Sequence, residues 1–167
     1  MKHRVALPIV LTALLAFGIV LPAGAETERG RISTNDELVY SFIADTDQQA
    51  KITVMWDRSN TDIDVFVFLL DGDDELLVAA SAGATDGLES VEVGVIPGEE
   101  YLVVLSHFEG PSARFQANVS TTGSENVSKA RTFGALGSLE KLAARSGPFA
   151  AVAETITRVE TLKTSAR

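Results

Sequence analysis

Glu89-Ser90-Val91-Glu92-Val93-Gly94-Val95-Ile96-Pro97-Gly98-Glu99-Glu100-Tyr101-Leu102-Val103-Val104-Leu105 decides the fold of this chain. Val91, Val93 and Val95 alternate with Glu92 and Gly94, which is the pattern of a strand with one wet face. Pro97-Gly98 then supplies a turn. Tyr101 to Leu105 follows, apolar at every position. A strand without a polar face is covered on both sides.

Working outward, the same grammar recurs. Leu38, Tyr40 and Phe42 alternate with Val39, Ser41 and Ile43. Ile52, Val54 and Trp56 alternate with Thr53 and Met55, and Phe115, Ala117 and Val119 with Gln116, Asn118 and Ser120. Val65-Phe66-Val67-Phe68-Leu69-Leu70 is a second run that is apolar throughout, and Leu76 to Ala80 is a weaker strand. Turn signals fall between the runs at Asp45-Thr46-Asp47, Arg58 to Asp62, Asp71 to Asp74, Gly83 to Gly87 and Glu109-Gly110-Pro111-Ser112. Short strands at this spacing, with no helical period between them, predict an all-β antiparallel sandwich.

The pattern changes near Thr122-Gly123-Ser124. Residues 26–123 hold 5 basic and 19 acidic side chains, whereas residues 124–167 hold 7 basic and 4 acidic ones. In the second segment Leu136, Leu139, Leu142 and Ala143 recur at helical spacing. Gly147-Pro148 interrupts, and Phe149, Val152, Ala153, Ile156, Val159 and Leu162 form an apolar stripe. The expected organisation is therefore a sandwich over 26–123 and an amphipathic helical tail over 124–167. Neither helix should be stable alone. The outer face near Phe66, Phe68 and Leu70 needs a cover, and the tail is the expected one.

Residues 1–25 read as a signal peptide. Lys2, His3 and Arg4 precede an uncharged apolar run from Val5 to Leu21, and Ala23-Gly24-Ala25 gives the small-residue cleavage pattern. The expected location is secreted or periplasmic, with no stable membrane anchor after cleavage. The remaining chain has 12 basic and 23 acidic side chains, which disfavours nucleic acid as a partner. There is no cysteine, so disulfides and thiolate metal sites are excluded. His107 is the one histidine outside the leader, in a stretch, Ser106-His107-Phe108-Glu109-Gly110, that reads as a loop. No nucleophile-elbow motif accompanies it. No catalytic or cofactor-binding residue is expected, and the chain is expected not to be an enzyme.

The expected function is a non-catalytic binding or accessory module for protein or polysaccharide. The alternative is an assembly role in which the amphipathic tail engages a partner. No metal ligand is assigned, although calcium has two places to be considered. Asp71-Gly72-Asp73-Asp74-Glu75 gathers carboxylates, but lacks the EF-hand spacing and reads as a solvated turn. Asp62 and Asp64, with Asp57 nearby, flank the start of a strand; here Asp62 is expected to close a turn and Asp64 to face solvent. Trp56, Tyr40 and Tyr101 sit on apolar faces and read as core, leaving Phe108 as the free aromatic.

Several motifs fall in an ordered series. Gly30, Asp36 and Tyr40-Ser41-Phe42 open it. Ile52 to Trp56 and Asp62-Ile63-Asp64-Val65-Phe66-Val67 form its centre. Glu89-Ser90-Val91 and Pro97-Gly98-Glu99-Glu100-Tyr101-Leu102-Val103-Val104 follow, and Gly110 and Phe115 close it. Over residues 30–120 the chain resembles the bacterial pre-peptidase C-terminal domain family. The resemblance implies a jelly-roll-like β-sandwich that accompanies secreted proteases. In that family some members bind insoluble substrates such as collagen, and some bind calcium through acids near Asp62 and Asp64 and an acidic N-terminal linker; here Glu26, Glu28 and Asp36 are the acids available for the latter, and the fuller linker motif is absent. No protease domain precedes the motifs in this sequence.

Overall fold

The computed structural model describes residues 26–44, 49–72, 74–83, 87–122, 131–144 and 148–165. Residues 1–25, expected to be a signal peptide, the Gly123-Ser124 boundary and the turn at Asp45-Thr46-Asp47 lie outside them. The alternating runs become strands β2 (Glu37–Ile43), β3 (Gln49–Trp56), β6 (Leu88–Gly94) and β8 (Ala113–Thr122). The continuous apolar runs become β4 (Asp62–Asp71) and β7 (Glu100–Glu109), and β5 (Asp74–Ser81) is the weaker strand. Two further strands were not expected: β1 (Glu26–Ile32) and β9 (Arg131–Ser138). Helices α1 (Leu139–Ala143) and α2 (Phe149–Ser165) end the chain.

The strands form two antiparallel sheets, in the orders β1-β8-β3-β6 and β5-β4-β7-β2-β9. The architecture is the predicted jelly-roll-like sandwich. Its interior is dry, with Ile52, Val54, Ile63, Val65, Val67, Val103 and Leu105 fully buried between the sheets. Trp56, Tyr40 and Tyr101 belong to this interior, as their alternation required. The indole N–H of Trp56 donates to the Thr61 carbonyl at 2.8 Å, which satisfies its one polar atom.

β4 and β7 are buried on both faces, and the second face is a separate core. Val39, Phe66, Phe68, Leu102 and Val104 point outward and meet Leu139, Val152 and Ile156 of the helices. Burying each large apolar side chain there contributes about 1.5–3 kcal/mol. Val152 and Ile156 of the α2 stripe are therefore buried within the chain, whereas Leu162 is 66% exposed.

The tail departs from the expected all-helical segment in its first part. Arg131–Ser138 is a strand paired with β2, so Leu136 belongs to β9 and not to a helix. Gly134 and Gly137 lower helix propensity there, and Phe133 gains a stacked contact with Tyr40 at 5.1 Å. Two glycines explain close approaches. A Cβ at Gly30 would stand 2.8 Å from the Phe115 ring. At Gly110, φ is +95° and a Cβ would meet the Asn60 carbonyl. Among the described residues, no helix is long and apolar enough to cross a membrane.

Candidate functional site

The helix α2 crosses the outer face of the second sheet and meets the ends of β4 and β7 near its own C-terminal half. There the apolar contact gives way to polar groups. Asp62 and Asp64 lead the outward-facing row that continues as Phe66 and Phe68. Both aspartates are fully buried, so Asp64 does not face solvent as expected. The reason is α2, which Asp64 meets where the sequence pattern of β4 showed only water.

Lys163 of α2 reaches down to these acids. Its Nζ lies 3.0 Å from Asp62 Oδ2 and 2.6 Å from Asp64 Oδ1. The same ammonium stands 4.1 Å from the centre of the Phe108 ring. Phe108 is consequently not the free aromatic in a loop that the sequence suggested. Ser106, His107 and Phe108 all lie in β7, whose pairing with β4 continues to Asp62↔Glu109.

Glu89 of β6 completes a group of three buried acids with Asp62 and Asp64, one oxygen from each lying within 4.8 Å of the others. Its carboxylate accepts from the Ser81 hydroxyl and, at 2.9 Å, from the Gly83 N–H. Hard carboxylate oxygens of this kind suit calcium. The arrangement already holds a cation, since Lys163 occupies Asp62 Oδ2 and Asp64 Oδ1. The other acids considered from sequence lie elsewhere. Asp57 accepts from the Arg114 N–H at 2.9 Å, and Asp36 accepts from Ser33 N–H at 3.0 Å in the β1–β2 turn. Glu26 accepts from the Phe133 N–H, and Glu28 lies in β1. Asp71 and Asp74 sit opposite each other at the exposed tip of the β4–β5 hairpin, where Gly72 takes φ of 65°. That stretch is the solvated turn the sequence indicated; Asp73 is outside the described residues.

Beside the Lys163 cluster, β2, β7 and α2 enclose a crevice of about 310 Å³. Glu37 enters it from β2, Ser106 from β7, and Glu160 and Thr161 from α2. The Ser106 hydroxyl donates to Glu160. His107 Nε2 lies 3.2 Å from the Pro111 carbonyl, and its buried Nδ1 has no hydrogen-bond partner. Ser106 and His107 are consecutive in a strand and leave β7 on opposite faces. Sequence reasoning missed Glu37, Glu89, Glu160 and Lys163 because they reach the site from three separate elements, β2, β6 and α2.

Burial, with Glu160 adding repulsion, pushes the Glu37 carboxyl up to about 7. Burial raises Asp64 to about 6 against the opposing pull of Lys163. Both folded-state values lie above those of an unfolded carboxylate, so the folded chain keeps protons that the unfolded chain has released. These two groups therefore cost stability as pH rises from about 4 to 7. The expected result is a higher melting midpoint at pH 5 than at pH 7.5, with Glu37→Gln flattening the upper part of the change. A midpoint that climbs over the same interval in both proteins would contradict it.

No family model matches the chain, and no curated protein does. Among solved structures, it is similar to the mitogen of Yersinia pseudotuberculosis, with a TM-score of 0.48 and 10% identity, over 67% of this chain and 97% of that one. It is also similar to the Aeromonas hydrophila periplasmic inhibitor of g-type lysozyme, with a TM-score of 0.41 and 17% identity over 59% and 87% of the two chains. A third likeness is to a carbohydrate-binding module of Cellvibrio mixtus lichenase 5A, solved with cellotriose, with a TM-score of 0.40 and 12% identity over 60% and 89%.

Proposed function

We propose that the protein is an exported, non-catalytic binding module of the pre-peptidase C-terminal type, and that it takes a protein or polysaccharide ligand at the crevice between β2, β7 and α2. The carrying observation is the crevice itself. It is polar, about 310 Å³ in volume, and framed by three separate elements of a rigid sandwich. The opposite orientation of Ser106 and His107 argues against a serine–histidine nucleophile pair. The alternative reading needs the apolar stripe of α2 for a partner, and Val152 and Ile156 of that stripe are already buried with Phe66 and Phe68.

The test is retention of the full chain, freed of its leader, on insoluble collagen, chitin and peptidoglycan, compared with Thr161→Trp, which fills the crevice. Retention on at least one support, lost in the variant and without release of soluble fragments, is the expected result. Equal retention of both proteins, or of neither, would remove the crevice from the account.

A further inference from the structure

Lys163 and Asp64 meet as a nucleophile meets an electrophile. The Nζ of Lys163 lies 2.6 Å from Asp64 Oδ1 and 3.0 Å from Asp62 Oδ2. Both aspartates are without solvent exposure, and the lysine side chain is 13% exposed. The Phe108 ring covers the nitrogen, its centre 4.1 Å away. Near-attack arrangements hold reacting atoms about 3–3.5 Å apart. The Asp64 carboxyl carbon stands one bond beyond an oxygen that already touches the nitrogen, which brings it within that reach.

Three features separate this contact from an ordinary ion pair. One ammonium faces two carboxyl groups, so a second acid is at hand to move protons. The other oxygen of Asp64, Oδ2, is buried and has no hydrogen-bond partner. A buried ion pair offsets its desolvation only when its remaining lone pairs are satisfied. Burial also raises the Asp64 carboxyl to about 6 against the pull of Lys163, which favours the protonated, electrophilic form. An amide between the two side chains would remove the buried charges altogether, and a dry site lets the released water escape without reversing the step.

We propose that Lys163 and Asp64 condense to an intramolecular isopeptide bond that ties α2 covalently to β4. The ion pair is the state of the freshly folded chain, and the amide is the state it matures to. One proton of the ammonium passes to Asp64, giving a neutral amine and a carboxylic acid. The amine lone pair forms the bond to Asp64 Cγ. Asp62 takes a second proton from the nitrogen and delivers it to the departing hydroxyl. The C–O bond breaks, water leaves, and Asp62 returns to its carboxylate. No oxidant or co-reactant is needed. The bond joins positions 99 residues apart. In a chain without cysteine it takes the place of a disulfide, and it fixes α2 over Phe66 and Phe68.

The experiment follows the intact mass of the full chain, freed of its leader, from refolding onward, and digests the end product with trypsin. The expected product is lighter by one water, and its digest holds residues 59–114 joined to residues 159–167. The same chain kept in denaturant should stay at full mass. Lys163→Arg keeps the positive charge without the amine and should never lose the water. Asp62→Asn should slow the loss by about a hundredfold. The matured chain should melt roughly 10–20 °C above the freshly folded one. A succinimide at Asp71-Gly72 or Asp86-Gly87 would also lose one water, but would leave no joined peptide and would persist in Lys163→Arg. A wild-type chain still at full mass after days in the folded state, or a water loss without the joined peptide, would overturn the inference, whether or not the variants fold. An undiminished rate in Asp62→Asn would overturn the part given to Asp62.

Discussion

Lys163→Met is expected to cost about 3–5 kcal/mol at pH 7.5, because it strips the cation from a buried pair and leaves the acids behind. Lys163 faces Asp62 and Asp64, both without solvent exposure, and Glu89 lies within 4.8 Å of them. Without the ammonium, three carboxylates would share one dry volume. Methionine keeps most of the stem and its packing, so the change isolates the charge. The loss should shrink at pH 5, where Asp64, raised by burial to about 6 even beside Lys163, takes up a proton instead. Lys51→Met is the comparison. Lys51 pairs with Glu92 at 3.2 Å on the exposed surface, where such a pair contributes about 0–1 kcal/mol. Denaturant unfolding of both variants at the two pH values measures this. Equal losses for Lys163 and Lys51, or a Lys163 loss that does not change with pH, would show that the cluster is not held together by that ammonium.

Ile156→Ala is expected to cost about 2–5 kcal/mol and to loosen α2. Ile156 is fully buried with Val152, Phe66, Phe68 and Leu102 on the outer face of the second sheet. The melting midpoint should fall by roughly 5–15 °C, and binding of an environment-sensitive apolar dye should rise as Phe66 and Phe68 become accessible. Leu162→Ala, at a side chain 66% exposed on the same helix, should change neither readout. If dye binding stays flat in Ile156→Ala while the midpoint falls, the helix is not what covers those phenylalanines.

The sandwich was legible because its signals are local. Alternation in Val91 to Val95 and in Ile52 to Trp56 names a strand and its wet face within a few residues. The unbroken apolar runs of β4 and β7 went further, since they required a cover before any cover was visible. The helical half of that cover was readable from Phe149 to Leu162. Its strand was not: Arg131 to Ser138 carries glycines that weaken any local pattern, and its pairing with β2 is about a hundred residues distant. β1 failed for a similar reason. Glu26-Thr27-Glu28-Arg29-Gly30-Arg31 is polar and earns its place by hydrogen-bonding along β8.

The site was less legible still. Asp62 and Asp64 were noticed as a pair, but their environment comes from Lys163, 99 residues beyond Asp64. Glu37, Ser106 and Glu160 look like ordinary surface residues in the linear chain. Only the crossing of α2 over β2 and β7 brings them to one crevice, and that crossing is tertiary information with no local signature.

The route of the chain sets an order of assembly. Strand β2 emerges early yet waits for β9 as its outer neighbour, and the acids of β4 wait for Lys163. Contacts between such distant positions form slowly. Without α2 and β9, the second sheet would have an uncovered face at Phe66 and Phe68, an open edge at β2 and uncompensated negative charge at Asp62 and Asp64.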